Sequence, residues 1–446
     1  MRLALLISLL AACSSAPSAP ALPADDYAPA DSTDLPQAVR TETLTPTPIR
    51  ITVGELPEPF ASESARKGPD VVGVPDDPVL RVPAGFAVQV WADDLESPRW
   101  LALAPDGSVL LAASRENTIL RLQDADGDGV AEGRETFATA GANALDLPMG
   151  MAFADGAFFV GNTSEVRRYP YAPGAGRLEG EGTVVAELPG RGYNQHWTRN
   201  VVASPDGDSL YVTVGSQSNV DPEELPRASV FRITPSGEGR ETVSFGLRNP
   251  VGLDFHPATG TPYVTVNERD LLGDGLVPDY LTSIGLDDAG EPRFYGWPYT
   301  YFTPDLLDPR RTDDGQSERP DLAAQTVSPD VLFESHSAAL GLAFYPTGAT
   351  AAGKAASFPA RYRGGAFVAF RGSWNKSRGT GYKVVFAPFE NGRATGTYED
   401  FLTGFLIDPA GPTTWGRPVG VLVLPDGSLL VTEEANGRIY RVSYTG

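Results

Sequence analysis

The segment PRWLALAPDGSVLLAAS (Pro98–Ser114) returns near the end of the chain as PVGVLVLPDGSLLVTEE (Pro418–Glu434). Between them lie PMGMAFADGAFFVGN, TRNVVASPDGDSLYVTVG, NPVGLDFHPATGTPYVTVN and LGLAFYPTGA followed by GGAFVAF. The copies start near residues 98, 148, 198, 249, 340 and 418, about fifty apart at first and then stretched by insertions. Each copy has an apolar run, an Asp-Gly-type turn and a second run rich in Val, Leu, Phe and Tyr. That is the pattern of paired β-strands, several of them buried on both faces. Six such units predict an all-β, six-bladed β-propeller with four-stranded antiparallel blades. The run GFAVQVWA (Gly85–Ala92) precedes the first copy and is expected to close the ring as the outer strand of the last blade. A β-sandwich pair or a β-solenoid accounts less well for repeats of this length.

The remaining chain divides by composition. Residues 1–12 carry Arg2 and a short apolar run, a secretory pattern too short to span a bilayer as a helix. Leu10-Ala11-Ala12-Cys13 resembles a bacterial lipobox, which implies cleavage before Cys13, acylation of its thiol, and a lipid-anchored protein of the bacterial cell envelope. Residues 13–48 are rich in Ala, Pro, Ser, Thr and Asp and read as a disordered tether. Residues 49–80 are expected to pack along the propeller, which occupies 81–446. The 35 basic and 57 acidic side chains give a net charge of −22, which argues against a nucleic-acid partner. One cysteine excludes an internal disulfide and the Cys-x-x-Cys-His needed to attach a c-type haem. No Gly-x-Gly-x-x-Gly in a strand–helix context points to a nicotinamide cofactor.

Propeller geometry sorts side chains by position. Loops entering the innermost strands and loops leaving the second strands share one face. Entering loops carry His196, Arg199, Arg248, Asn249, His336 and Arg417; leaving loops carry Arg115, Ser216, Arg371, Trp374 and Arg378. Any one arginine can be a clamp between blades, and any one histidine a structural residue. Together, in so acidic a chain, they suit a planar polyanion held by guanidinium groups and an indole. His256, the third histidine, falls in an opposite-face turn and receives no role.

FGLRNPVGLDFHP, FYGWPYTY, NERDLLGDGLVPDYLTSI and HSAALGLAFY resemble the sorbosone dehydrogenase and soluble aldose (glucose) dehydrogenase family over roughly Val82–Tyr444. The resemblance implies a six-bladed propeller carrying pyrroloquinoline quinone (PQQ) and calcium. It implies oxidation of an aldose or aldehyde sugar, sorbosone-like, to a lactone or acid, with electrons passed to an external cytochrome or quinone. His196 falls on the catalytic base and Arg248 and Asn249 on the pair contacting the quinone oxygens. The cofactor would further contact Arg199, Arg371, Arg378, Arg417, Arg115, His336 and Trp374. The acidic residue that supports the base in the glucose-oxidising branch is replaced by Ser216, which leaves the orientation of the histidine to another group. A calcium-dependent lactonase and a non-catalytic ligand-binding propeller are the competing readings.

Two calcium sites are expected. DADGDGVAEGRE places Asp124, Asp126, Asp128, the Val130 carbonyl and Glu135 at loop positions one, three, five, seven and twelve, the EF-hand spacing on a β-rich background. That loop belongs on the face opposite the arginines. The second ion, implied by the resemblance, would lie beside the quinone and use Gly273 and Asp274.

Overall fold

The computed structural model describes residues 35–192, 196–348 and 357–446. The signal segment, Cys13 and most of the expected tether lie outside the described residues. Among the described residues strands dominate, with only short helical turns between them.

Among the described residues, each repeat builds one sheet of four or more strands. Sheet 1 comprises Pro98–Leu103, Val109–Ala113, Thr118–Gln123 and Gly133–Thr139. Sheet 2 comprises Met151–Ala154, Ala157–Gly161, Glu165–Pro170 and Thr183–Glu187. Sheet 3 comprises Val201–Ala203, Leu210–Val214, Ser229–Ile233 and Glu241–Phe245, extended by Arg293–Phe294. Sheet 4 comprises Pro250–Phe255, Pro262–Val266, Pro278–Ser283 and Val331–Ser335. Sheet 5 comprises Ala339–Phe344, Ala366–Phe370, Lys383–Ala387 and Glu399–Leu402. Sheet 6 comprises Pro418–Val423, Leu429–Glu433, Arg438–Tyr444 and Phe86–Ala92. Phe86–Ala92, from the start of the fold, thus pairs antiparallel with the last strand of the chain.

The two copies of the Pro-Asp-Gly-Ser turn make the same local bonds. Asp106 Oδ1 accepts from Ser108 N and Oγ, and Arg121 reaches Asp106 Oδ2 at 2.7 Å. Asp426 takes the same bonds from Ser428, and Arg441 reaches it at 2.6 Å. Gly107 and Gly427 hold φ of +86° and +92°, a conformation open to glycine and strained for side chains. The repeat is therefore a repeated turn chemistry as well as a repeated apolar pattern.

First strands pack against one another from each sheet to the next in chain order, and from the sixth back to the first. Glycine permits this approach. A Cβ on Gly252 would lie 2.2 Å from the Leu340 carbonyl, one on Gly341 2.6 Å from that of Val419, and one on Gly420 2.4 Å from that of Arg99. The strand register shifts around these glycines, and at Gly252 and Gly420 a second-strand threonine satisfies the backbone groups so freed. Thr265 Oγ1 accepts from Gly252 N and donates to Leu340 O at 2.7 Å; Thr432 Oγ1 accepts from Gly420 N and donates to Arg99 O at 2.8 Å.

Order begins earlier than the composition suggests. Ala38–Leu44, placed in the tether by sequence, is a strand paired in parallel with Val79–Pro83 and briefly with Phe86–Ala92. Its own burial is small, with only Val39 inside, so the backbone ladder and not an apolar run recruits it. In the following residues, Ile51, Val53 and Leu56 pack against the buried cluster that includes residues of sheets 3 and 4. Further on, Ser62, Ser64, Lys67 and Asp70 bond to loops near residues 273, 374 and 412.

Thr432→Val keeps shape but strips Gly420 N–H and Arg99 C=O of their shared partner. Unpaired buried groups cost about 1–3 kcal/mol, so the melting midpoint should fall, as read by thermal or urea unfolding. An unchanged midpoint would remove the threonine from the account of sheet-to-sheet packing.

Candidate functional site

Eight separate segments of the chain meet in one cavity of about 250 Å³, on the side where loops enter first strands and leave second strands. His196, Arg248 and Asn249 come from entering loops of sheets 3 and 4; Arg115, Arg371 and Trp374 come from leaving loops of sheets 1 and 5. His336 and the carboxylates of Glu268, Asp270 and Asp279 complete much of the wall. A second cavity of about 300 Å³ shares Arg115, Trp197, Arg371 and Trp374 with the first and adds Leu147, Arg191 and Arg417.

His196 is buried, and its Nδ1 lies 3.2 Å from Ser216 O and 3.0 Å from Ser216 Oγ. The Ser216 hydroxyl proton is directed to Ser218 O at 2.6 Å. Both groups facing Nδ1 can therefore accept a hydrogen bond from it. Burial, with Arg248 and then Arg199 and Arg227 adding to it, pushes the imidazole well below its usual range and keeps it neutral. Gly215 makes room for this corner, since a Cβ there would sit 2.3 Å from Asn249 Oδ1 and 3.0 Å from His196 Cβ.

Arg248 is held on several sides. It donates to Asn219 O, Asn219 Oδ1 and Glu268 O, and pairs with Asp270 Oδ2 at 2.9 Å. The other oxygen of Asp270 takes Asn375 Nδ2 at 2.7 Å, and Asn375 Nδ2 also reaches His336 Nδ1 at 3.1 Å. His336 Nε2 faces the Gly273 carbonyl at 3.4 Å, so this histidine ties a loop to the cavity wall. Asn249 Oδ1 is buried and accepts no hydrogen bond among the described residues. Asp279, pushed up to about 7 by burial, accepts from Glu268 N and Ala338 N.

Three arginines surround Glu434. Arg99 and Arg371 each form a buried ion pair with it, and Arg417 lies beside Arg371, donating to the carbonyls of Arg371 and Gly372. Arg99 also stacks over Trp197 with its guanidinium carbon 5.1 Å from the ring centre. Burial raises the Glu434 carboxyl, but Arg99, Arg371 and Arg417 outweigh it and hold the group down at about 2.

Other expected residues fall elsewhere. Arg199 is fully buried and gives its guanidinium to the carbonyls of Gly190, His196 and Thr198, clamping the loop that carries His196 instead of facing either cavity. Arg378 is exposed and lines neither cavity. Gly273 and Asp274 also line neither. The Asp274 carboxylate is occupied by Ser377 N and Oγ, both at 2.6 Å, and the backbone N–H groups of Gly273 and Asp274 donate to Ser64 and Ser62. In the acidic loop Asp124, Asp126 and Asp128 gather with Glu132, not Glu135. Glu135 sits inside the strand Gly133–Thr139, opposite Arg121, and pairs with it at 3.2 Å. The β-hairpin ends the loop before the twelfth position can turn inward.

Arg99, Trp197 and Glu434 were not anticipated. Glu434 follows a second strand as Arg371 does, so position signalled it; its sign, opposite to the arginines, hid it. Glu434→Gln leaves Arg99 and Arg371 without their charge partner, and breaking a buried pair costs about 3–5 kcal/mol. Its folded carboxyl titrates at about 2 against 4.5 in a free chain. Its stabilisation is thus present above 4.5 and lost as pH falls toward 2. Urea unfolding against pH should show a less stable variant at neutral pH with a flatter acid slope; parallel curves would contradict this.

A TrAA12-like family model matches residues 80–291 and 309–445. A Borreliella burgdorferi protein described as uncharacterized is 26% identical over 379 residues, covering 82% of this chain and 91% of its own. The pyrroloquinoline quinone-dependent pyranose dehydrogenase of Coprinopsis cinerea is 27% identical over 301 residues, covering 55% of this chain and only 39% of its own. The holo form of its PQQ domain superposes with a TM-score of 0.65 at 20% identity, over 84% of this chain and 99% of that one. A Trichoderma reesei structure from carbohydrate-active enzyme family AA12 gives 0.70 at 19% identity, over 84% of this chain and all of that one. At such identities the solved structures share the fold. The family match runs from the strand that pairs with Ala38–Leu44 to the last strand of sheet 6, and on that ground the chain belongs to the TrAA12-like family.

Proposed function

We propose that this chain is a PQQ-dependent oxidoreductase of sugars, built on a six-bladed propeller that Phe86–Ala92 closes. The observation that carries the reading is the meeting of a neutral, oriented His196 with Arg248, Asn249 and the arginine cluster in one cavity. The residues present suit the cofactor. Asn249 Oδ1 is buried without a partner among the described residues, and Trp374 stands 37% exposed on the shared wall. The two adjoining cavities together reach the size range of small-molecule sites. Arg115, Arg371 and Arg417 would hold the carboxylates, Trp374 the ring face, and Arg248 and Asn249 the quinone oxygens. Bound there, the quinone supplies the hydride acceptor.

The chain supplies the rest. His196 Nε2 accepts the proton of the sugar hydroxyl, and Ser216 keeps the opposite nitrogen protonated meanwhile. Arg248, fixed by Asp270 and Asn219, presents positive charge where negative charge develops. The substrate class we favour is an aldose or a sorbosone-type aldehyde sugar, oxidised to a lactone or acid. Electrons would leave to an external cytochrome or quinone. Calcium would occupy the Asp124–Glu132 loop as a structural ion. Lipidation of Cys13 would fasten the enzyme to a membrane of a bacterial cell envelope.

Purified apoprotein mixed with calcium and PQQ should reduce a dye in a sugar-dependent manner. His196→Ala should lose about 10²–10⁴-fold in kcat, the range of a positioned general base. Since the imidazole is held below its ordinary range, wild-type kcat/KM should show no loss on acidification through pH 6.5. Full activity in the alanine variant, or no dye reduction by wild type at all, would end this reading. Cys13→Ala should move the protein from the membrane fraction to the soluble one; continued sedimentation with membranes would reject the anchor.

A further inference from the structure

The residue beside the base is a serine where the resembling glucose-oxidising enzymes carry an acid, and the structure shows how a serine does that work. A hydroxyl can both donate and accept, so by itself it does not choose a histidine tautomer. Here its proton is committed to Ser218 O at 2.6 Å, which leaves Oγ only as an acceptor toward His196 Nδ1. The Ser216 carbonyl is a second acceptor at 3.2 Å. The loop that makes this possible is pinned from outside. Glu223 Oε2 accepts from Gln217 N and Oε1 from Ser218 N, both at 2.6 Å. Arg227 Nη2 holds Gln217 Oε1 at 2.8 Å, and Ser216 N donates to Arg248 O at 2.8 Å. A half-buried carboxylate one step removed therefore orients Ser218 O, which orients the hydroxyl, which orients the imidazole.

Resting on the reading of His196 as the base, we propose that Ser216 is the positioning residue that fixes His196 in the Nδ1–H form, with Glu223 locking the Ser216–Ser218 loop that lets it do so. The consequence is chemical. The charges that act most on His196 are the guanidinium groups of Arg248, Arg199 and Arg227, with the carboxylates of Glu268, Asp270 and Asp279 on the same cavity wall, and the Ser216 groups touching Nδ1 are neutral. An acid in that place would stabilise imidazolium and strengthen the base; a serine orients the ring without doing so. The base is weaker but stays unprotonated in acid.

The test reads the tautomer directly. The full chain has three histidines, so selective ¹⁵N-histidine labelling gives few signals, and His196→Ala assigns the one that matters. Wild-type apoprotein should show a protonated Nδ1 and a pyridine-type Nε2 at His196. Ser216→Ala keeps the carbonyl acceptor but loses Oγ, so it should loosen the orientation of the ring and lower kcat by about 10-fold with KM little changed, within what a positioned base contributes. Ser216→Asp should move the acid limb of kcat/KM upward by about one to three pH units, the shift a carboxylate in contact produces. Glu223→Gln should act in the same direction as Ser216→Ala but less strongly, with thermal melting confirming that each variant is folded. A wild-type His196 protonated on Nε2 overturns the proposal, as does a Ser216→Asp profile that overlays wild type. Activity surviving in His196→Ala would instead sink the base while leaving the tautomer assignment standing, so the two failures are separable.

Discussion

Close backbone approach between first strands is the constraint on which the rest of this molecule depends. Six sheets can crowd their inner edges together only where no Cβ intervenes, and Gly252, Gly341 and Gly420 meet the carbonyl groups of the neighbouring sheet at distances that exclude any side chain. Bringing backbone that close buries N–H and C=O groups that no ladder can pair. Thr265 and Thr432 complete the bonding with one hydroxyl each, accepting from their own sheet and donating to the next. Packing and polar satisfaction are thus solved at the same few positions.

That crowding sets the chemistry. The loops that flank the first and second strands have nowhere to go but toward one another, and they deliver cations into a chain whose net charge is −22. Collected without compensation, buried guanidinium groups would repel. The structure answers with two internal acids: Asp270 against Arg248, and Glu434 between Arg99 and Arg371. These acids hold the arginines in place and moderate their charge, while Arg115 adds positive charge at the wall shared by the two cavities and Arg417 at the second cavity. A wall so arranged sets fixed positive charge beside a part-exposed indole, a combination that suits an anionic, planar guest.

Legibility in the sequence followed the range of the interaction. The repeat, the turn chemistry of Asp106 and Asp426, and the pairing of Phe86–Ala92 with the last strand are signalled by local pattern, and all are present. The positional rule for the site also gathered His196, Arg248, Asn249, His336, Arg371 and Trp374 into one cavity. It failed where a side chain's direction depends on a partner far along the chain. Arg199 follows the rule by position yet turns back to Gly190, and Glu135 follows the calcium spacing yet is drawn across the ladder to Arg121. Ala38–Leu44 carries little apolar signal because backbone pairing, not burial, orders it.

By itself the sequence determined that this chain repeats one β-unit six times and that cationic and imidazole side chains stand at equivalent points of those units. Apolar periodicity, turn residues and their spacing are local properties, and local properties are written in order along a chain. Only the tertiary structure decided which of those side chains face the cavity, that Glu434 and Asp270 sit among them, and that Ser216 turns its lone pair toward His196. Those choices depend on contacts between residues tens to hundreds of positions apart, where the energy of one buried ion pair or hydrogen bond selects the direction in which a side chain points.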